Sequence, residues 1–283
     1  MRTRLELVVA AFVAGYHSVL EHGAPEEVAP ELQLLEPELQ GFAFEGAAMG
    51  LALLDRLTPW RHSRISEFLA GAGHVHAYMV HVGVGWVWAR FPFGFRRTLR
   101  RLDPLLSWLA FDGWGFHEGF FHWPEYLAGR LPPPRLTGYE RQVFDQGLGR
   151  SLWFVNGGNP DLIARAIVAL PQVRQSDLWS GIGLAATYAG IVDSGVLEAL
   201  RNHAGAHGSA LAQGSAFAAK ARQRAGYLTS YTELATTVLC GLSAAEAARL
   251  CGTTLENLPT KASQPAYEIW RQRIHQHFQA SLT

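Results

Sequence analysis

Glycine recurs inside apolar, helix-patterned segments at near-regular intervals, and this most constrains the fold. Gly46, Gly83, Gly119, Gly147, Gly181 and Gly214 follow one another at spacings of 37, 36, 28, 34 and 33 residues. Each sits among small or apolar neighbours, as in Glu45-Gly46-Ala-Ala-Met, Glu118-Gly119-Phe-Phe, Gln146-Gly147-Leu-Gly149 and Gln213-Gly214-Ser-Ala-Phe. A glycine in a helix interior costs about 1 kcal/mol relative to alanine. Repeating it means that helix backbones approach closely, or that helices line a space where side chains must be small. One helical hairpin per interval is the simplest unit. Residues 41–123 and 142–225 match as two halves, with Leu131-Pro-Pro-Pro-Arg135 as the linker. The expectation is a single all-α domain over 1–283, its hairpins closing into an α/α ring around an apolar cavity or stacking as a solenoid.

The rest of the chain agrees with an all-α reading. Leu5, Val8, Val9, Phe12 and Tyr16 keep helical spacing, and Gly23 closes that segment. The acidic, proline-punctuated residues 25–40 predict one short exposed helix. Further helices are expected at 41–57 (stopped by Thr58-Pro59), 64–70, 74–90, 138–155, 160–170, 175–190, 195–203, 207–225, 231–240, 243–250 and 264–280. No segment alternates apolar and polar residues over a strand's length with turn punctuation.

Charge narrows the function classes. Lysine plus arginine equals aspartate plus glutamate at 24 each, which gives no electrostatic footprint for nucleic acid. Only 17% of residues are charged, which leaves apolar surface over for a cavity. No membrane span is expected. The long apolar window from Phe68 to Phe95 carries His74, His76, His81 and Arg90, and Met1–Leu20 reads as an amphipathic helix rather than a signal peptide. Cys240 and Cys251 are the only cysteines and read as core thiols, which suits a cytoplasmic location.

The densest chemistry lies in Phe111-Asp-Gly-Trp-Gly-Phe-His117-Glu118-Gly119-Phe-Phe-His122-Trp123. His117 and His122 are five apart, about 140° off one helix face, whereas zinc-protease histidines are four apart. The spacing argues against that class, and the reading assigns no metal and no cofactor. Glu118 amid aromatic residues is expected to have a raised pKa, with His117 beside it as a relay; pairing with an arginine or capping a helix is the plainer role. Asp145, Gln146 and Arg150 crowd one short run, and Arg174, Ser176 and Asp177 another. Ser176-Asp177 fits a helix cap, and Arg150 and Arg174 fit core ion pairs with Asp145, Glu45 or Asp177.

The runs Gly41-Phe-Ala-Phe-Glu-Gly-Ala-Ala-Met49, Tyr78-Met-Val-His-Val-Gly-Val-Gly-Trp86, Asp112-Gly-Trp-Gly-Phe-His-Glu-Gly-Phe-Phe-His122, Phe144-Asp-Gln-Gly-Leu-Gly-Arg-Ser-Leu-Trp153, Asp177-Leu-Trp-Ser-Gly-Ile-Gly-Leu-Ala185 and Leu211-Ala-Gln-Gly-Ser-Ala-Phe-Ala-Ala-Lys-Ala221 carry a resemblance. Together they resemble a bacterial domain-of-unknown-function family found beside the enediyne polyketide synthase in actinobacterial gene clusters. The resemblance covers about residues 5–235. It implies natural-product biosynthesis on a long polyene or isoprenoid chain, with the synthase or other cluster enzymes as partners. It supplies no mechanism.

The resulting expectation is an isomerase or cyclase. Glu118 with His117 would transfer the proton, Asp145 and Asp177 would be reserve acids, and Glu45 is the earlier counterpart of Glu118. Trp86, Trp114, Phe120, Phe121, Trp153 and Trp179 would shape the apolar substrate, with Arg150, Gln146 and Gln213 as polar contacts. Metal-dependent oxidation of the same chain is a second expectation. A non-catalytic carrier that binds the chain or docks on the synthase is a third.

Overall fold

The computed structural model describes residues 2–280 apart from Pro59, His62, Ile191, Val192, Thr260 and Lys261. The expected role of Pro59 as a helix stop lies outside the described residues. The fold is all-α, with no strand among those residues. Two compact units divide the chain. One comprises Arg2–Trp114 with Arg224–Tyr227, and the other Gly115–Gln223 with Leu228–Thr283. The division falls at Trp114/Gly115, inside a helix, while the proline segment 131–135 lies within the second unit.

The N-terminal unit contains α1 (Arg2–His22), α2 (Pro25–Gln33), α3 (Pro37–Leu57), α4 (Arg64–Ala70), α5 (Ala77–Arg90), α6 (Phe95–Leu99) and the start of α7 (Leu109–Leu127). Gly23 at φ +75° ends α1, a left-handed conformation that glycine adopts without strain. The single exposed helix expected at 25–40 is two elements. Pro37 occupies the first turn of α3 and so starts a new helix, and Val28, Ala29 and Leu32 of α2 are buried. Arg4 is held in this unit by an ion pair with Glu38.

The glycines explain how α1, α3, α5 and α7 pack. A Cβ built on Gly46 would lie 1.8 Å from the Phe12 carbonyl oxygen, and one on Gly15 would lie 1.9 Å from that of Ala43. Gly83 meets the Glu45 carbonyl at 2.2 Å, and Gly85 and Gly113 meet Ala110 and Val82 at 1.9 Å each. These helices touch backbone to backbone, so any side chain would part them. Burial of their faces is therefore compatible with glycine's low helix propensity.

The second unit repeats the device. It holds the remainder of α7, then α8 (Tyr139–Val155), α9 (Pro160–Val168), α10 (Gln172–Ala189), α11 (Ser194–Ala204), α12 (Gly208–Arg224), α13 (Ser230–Cys240), α14 (Ala244–Thr253) and α15 (Ala266–Ala280). Gly115 meets Phe144 at 1.9 Å, Gly149 meets Leu178 at 2.1 Å and Gly181 meets Gln146 at 2.0 Å. Gly183 and Gly214 meet Leu211 and Ser180 at 1.9 and 1.8 Å. Local signals set the ends of the peripheral helices. Asn159 accepts from the Asp161 and Leu162 amides ahead of Pro160, and Ser243 with Glu246 forms a capping box.

Arg2–His22 is the one helix among the described residues long and apolar enough to cross a membrane, with mean hydropathy 1.2. The pair α13–α14 passes only if two helices bent by 67° are taken together. Gly15 and Gly46 seat one face of α1 against α3, and 33% of its apolar window is buried. Cys240 and Cys251 are both free.

Candidate active site

Glu118 sits near the end of the straight part of α7. Pro124 lacks the amide hydrogen the helix needs, and His122 leaves helical geometry at φ −131°, ψ 18°. The kink carries Tyr126 and Arg130 back towards Glu118. Tyr126 donates to Glu118 Oε2 at 3.1 Å, Arg130 Nη2 lies at 3.4 Å, and His117 Nδ1 is 3.7 Å from Oε1. Burial pushes this carboxyl up, but His117, Tyr126 and the Arg130 charge outweigh it, and its pKa is lowered. The raised pKa expected from the aromatic neighbours is thus reversed. Glu118 is held ionised at neutral pH, which suits an ion pair better than a proton donor. His122 turns to Glu125, with Nδ1 3.1 Å from Oε1.

Asp145 on α8 is the opposite case. Arg174 on α10 grips it with two hydrogen bonds, Nε to Oδ2 at 2.9 Å and Nη2 to Oδ1 at 2.6 Å. Desolvation still outweighs the arginine, and the Asp177 charge adds to it, lifting the pKa from 3.8 to about 6. The folded chain keeps a proton that the unfolded chain would release, so this group's contribution to stability is lost as pH rises from about 4 through about 6. Arg174→Met should leave the carboxylate buried without a cation and cost about 3 kcal/mol at pH 8. The deficit should shrink towards pH 5, where the carboxyl protonates. Urea melts of both proteins across that range check this.

Asp177 brings in the helix that the repeat did not single out. Ser176-Asp177 is not a helix cap, because α10 begins at Gln172 and both residues lie in its second turn. Asp177 Oδ1 accepts from Arg271 Nη2 of α15 at 3.0 Å. The same guanidinium donates to Tyr139 Oη at 3.0 Å and to Gln213 Oε1 at 3.3 Å, while Ser180 donates to Gln213 Oε1 at 2.7 Å. Four elements remote in sequence (α8, α10, α12 and α15) therefore converge on one arginine. The Asp177 pKa is raised, because desolvation exceeds the attraction of Arg271. Tyr139 is also raised by burial and stays a phenol.

This cluster opens onto a cleft of about 120 Å³, whose walls include Tyr139, Asp177, Gln213, Arg271 and His275. Burial, and then the Arg271 charge, lower the pKa of His275, which is therefore neutral near pH 7. Its Nε2 lies 2.7 Å from Ser209 Oγ. A carboxyl with a raised pKa thus shares a cleft with an imidazole with a lowered one. Both shifts narrow the gap between the carboxyl and the imidazole, and both favour the uncharged forms of the two groups.

The other expected site residues divide between the units. Glu45, Trp86 and Trp114 belong to the N-terminal unit, where Trp86 donates to Glu45 Oε1 at 3.1 Å and Trp114 packs edge-on against Phe95. In the second unit Gln146, Trp153 and Trp179 are buried in the core, and Arg150 stacks over Phe116 at 4.7 Å. Phe121 is 50% exposed and meets Phe120 edge-on. Among the described residues, no three His, Cys, Asp or Glu side chains converge as metal ligands.

Arg271, Tyr139, His275 and Tyr126 were missed in the sequence. The available signal was Arg271 inside the apolar stripe Tyr267, Trp270, Ile274 and Phe278, all of them buried. A cation on the inward face of an amphipathic helix implies a buried acid opposite.

Comparison with curated proteins and with solved structures finds no match. The family model described as Protein of unknown function (DUF1702) matches residues 1–278, which include both units' glycine-packed helices and the Arg271 cluster. The sequence resemblance to a domain-of-unknown-function family is thereby made specific, and the chain belongs to the DUF1702 family.

Proposed function

We propose that the protein is an enzyme that moves a proton on an apolar, polyunsaturated metabolite, isomerising or cyclising it, and that Asp177 with His275 does this work. The observation that carries the reading is the convergence of Asp177, Arg271, Tyr139 and Gln213 on the wall of a cleft that His275 also lines. Protonated Asp177 delivers a proton to one end of a conjugated system. Neutral His275 takes one from another carbon, so the π bonds shift and no atom is gained or lost. Arg271 holds the Asp177 carboxyl in place for this transfer and is itself fixed by Tyr139 and Gln213. In this reading Asp177 carries the proton rather than Glu118, whose pKa is lowered.

The substrate class rests on the resemblance carried by the glycine-rich helices. A polyketide synthase of the enediyne type would supply such a chain. Incubating the purified protein with synthase-released polyene in D2O tests the reaction. The expected product has the substrate's mass plus one exchanged deuterium. Loss of two hydrogens or gain of oxygen would instead support oxidation, and tight binding without conversion would support a carrier.

A further inference from the structure

The N-terminal unit holds a second cleft, of about 130 Å³, between α3 and the α5–α6 connection. We propose that it binds the anionic end, phosphate or carboxylate, of a molecule with an apolar body. This proposal does not rest on the proton-transfer reading.

Arg56, Arg97 and Arg101 line the cleft. All three side chains are exposed, and none has a hydrogen-bond or ion-pair partner among the described residues. The acid on the same wall, Asp55, is already engaged. Its Oδ1 accepts from Arg64 Nη1 at 3.2 Å and from the Arg64 amide at 3.3 Å, and its Oδ2 accepts from the Ile65 amide at 3.2 Å. Three like charges therefore share the cleft with no negative charge left to offset them. Such clustering is unfavourable until an anion arrives. Guanidinium groups favour phosphate and carboxylate because their planar donors match two oxygens at once.

The backbone preserves this arrangement. Gly94 adopts φ +74°, and a Cβ there would come within 2.9 Å of Arg56 Nη1. The turn thus leaves room for the Arg56 head. The apolar half of the ligand is read from the lip of the cleft, where Phe93 is 72% and Phe91 45% exposed, above a floor that includes buried Trp88. A small inorganic anion would leave those rings in water. An anionic amphiphile uses both parts.

Decyl phosphate at monomeric concentration is the probe, with decanol as uncharged control and phosphatidylglycerol vesicles as a membrane arm. Calorimetric titration of the full chain should show decyl phosphate binding at least 10-fold tighter than decanol, weakening with added salt. The double variant Arg97→Gln/Arg101→Gln should lose at least 10-fold in affinity with an unchanged unfolding midpoint. Phe93→Ser should weaken decyl phosphate while leaving inorganic phosphate unaffected. Binding of the monomer identifies a free metabolite, and binding only to vesicles identifies a lipid headgroup; either supports the anionic-amphiphile site. Equal affinity for decanol, binding undiminished in the double variant, or binding to neither probe overturns it.

Discussion

Replacement of Asp177 by asparagine is expected to lower turnover by about 10²–10⁴-fold, the range for loss of one general acid–base group. The fold should survive, because asparagine keeps an oxygen to accept from Arg271, and that guanidinium retains Tyr139 and Gln213. The pH profile makes the test sharper. Catalysis needs Asp177 protonated and His275 neutral. Loss of the Asp177 proton then limits the rate at high pH, and protonation of His275 limits it at low pH. Asp177→Asn should remove the alkaline limb from whatever activity remains. Glu118→Gln should retain most of the turnover, since the role of that carboxylate is to hold Tyr126 and Arg130. Full activity in the Asp177 variant, or its loss only in the Glu118 variant, would move the chemistry back to α7.

Substituting both Gly183 and Gly214 by alanine is expected to destabilise the protein by about 4 kcal/mol, lowering the unfolding midpoint by roughly 10 °C. The two new methyl groups would stand 1.9 Å from Leu211 O and 1.8 Å from Ser180 O. Those atoms are backbone within helices, so neither can swing aside, and α10 and α12 must separate along the whole seam. Alanine's better helix propensity recovers about 1 kcal/mol per site and cannot offset this. Gly252 is the contrasting case. A Cβ there meets only the flexible end of Lys220, at 3.5 Å, so Gly252→Ala should be neutral or stabilising by about 0.5 kcal/mol. Thermal melts of the three proteins decide the matter, and an unchanged midpoint in the double variant would refute the contact.

The legible part of the fold was what repeats locally. Gly46, Gly83, Gly119, Gly181 and Gly214 mark helix-to-helix contacts because close approach demands glycine at fixed positions, and sequence records that demand directly. The helix over 64–70 was legible to the residue, and those at 138–155 and 231–240 to within one. The candidate site was legible in Gln213, from the repeat, and in Asp177, from the polar run ahead of Trp179. Arg271 lies 94 residues beyond its partner Asp177, and no local pattern connects them. For Glu118 the local pattern misled. The aromatic neighbours predicted the sign from desolvation alone, while Tyr126 and Arg130 arrive only through the bend at Pro124.

A helix seam closed by carbonyl against glycine has no slack. The two rods can neither roll nor spread without losing contact along their length, so nothing can enter between α10 and α12. The helix α15 contains no glycine and meets its neighbours through side chains, as where Trp270 Nε1 reaches the Cys251 carbonyl at 2.9 Å. The cleft beside Asp177 therefore has one wall closed by backbone contact and one held by side chains. Side-chain contacts can repack after a substitution in α15, whereas the backbone contacts of the α10–α12 seam cannot.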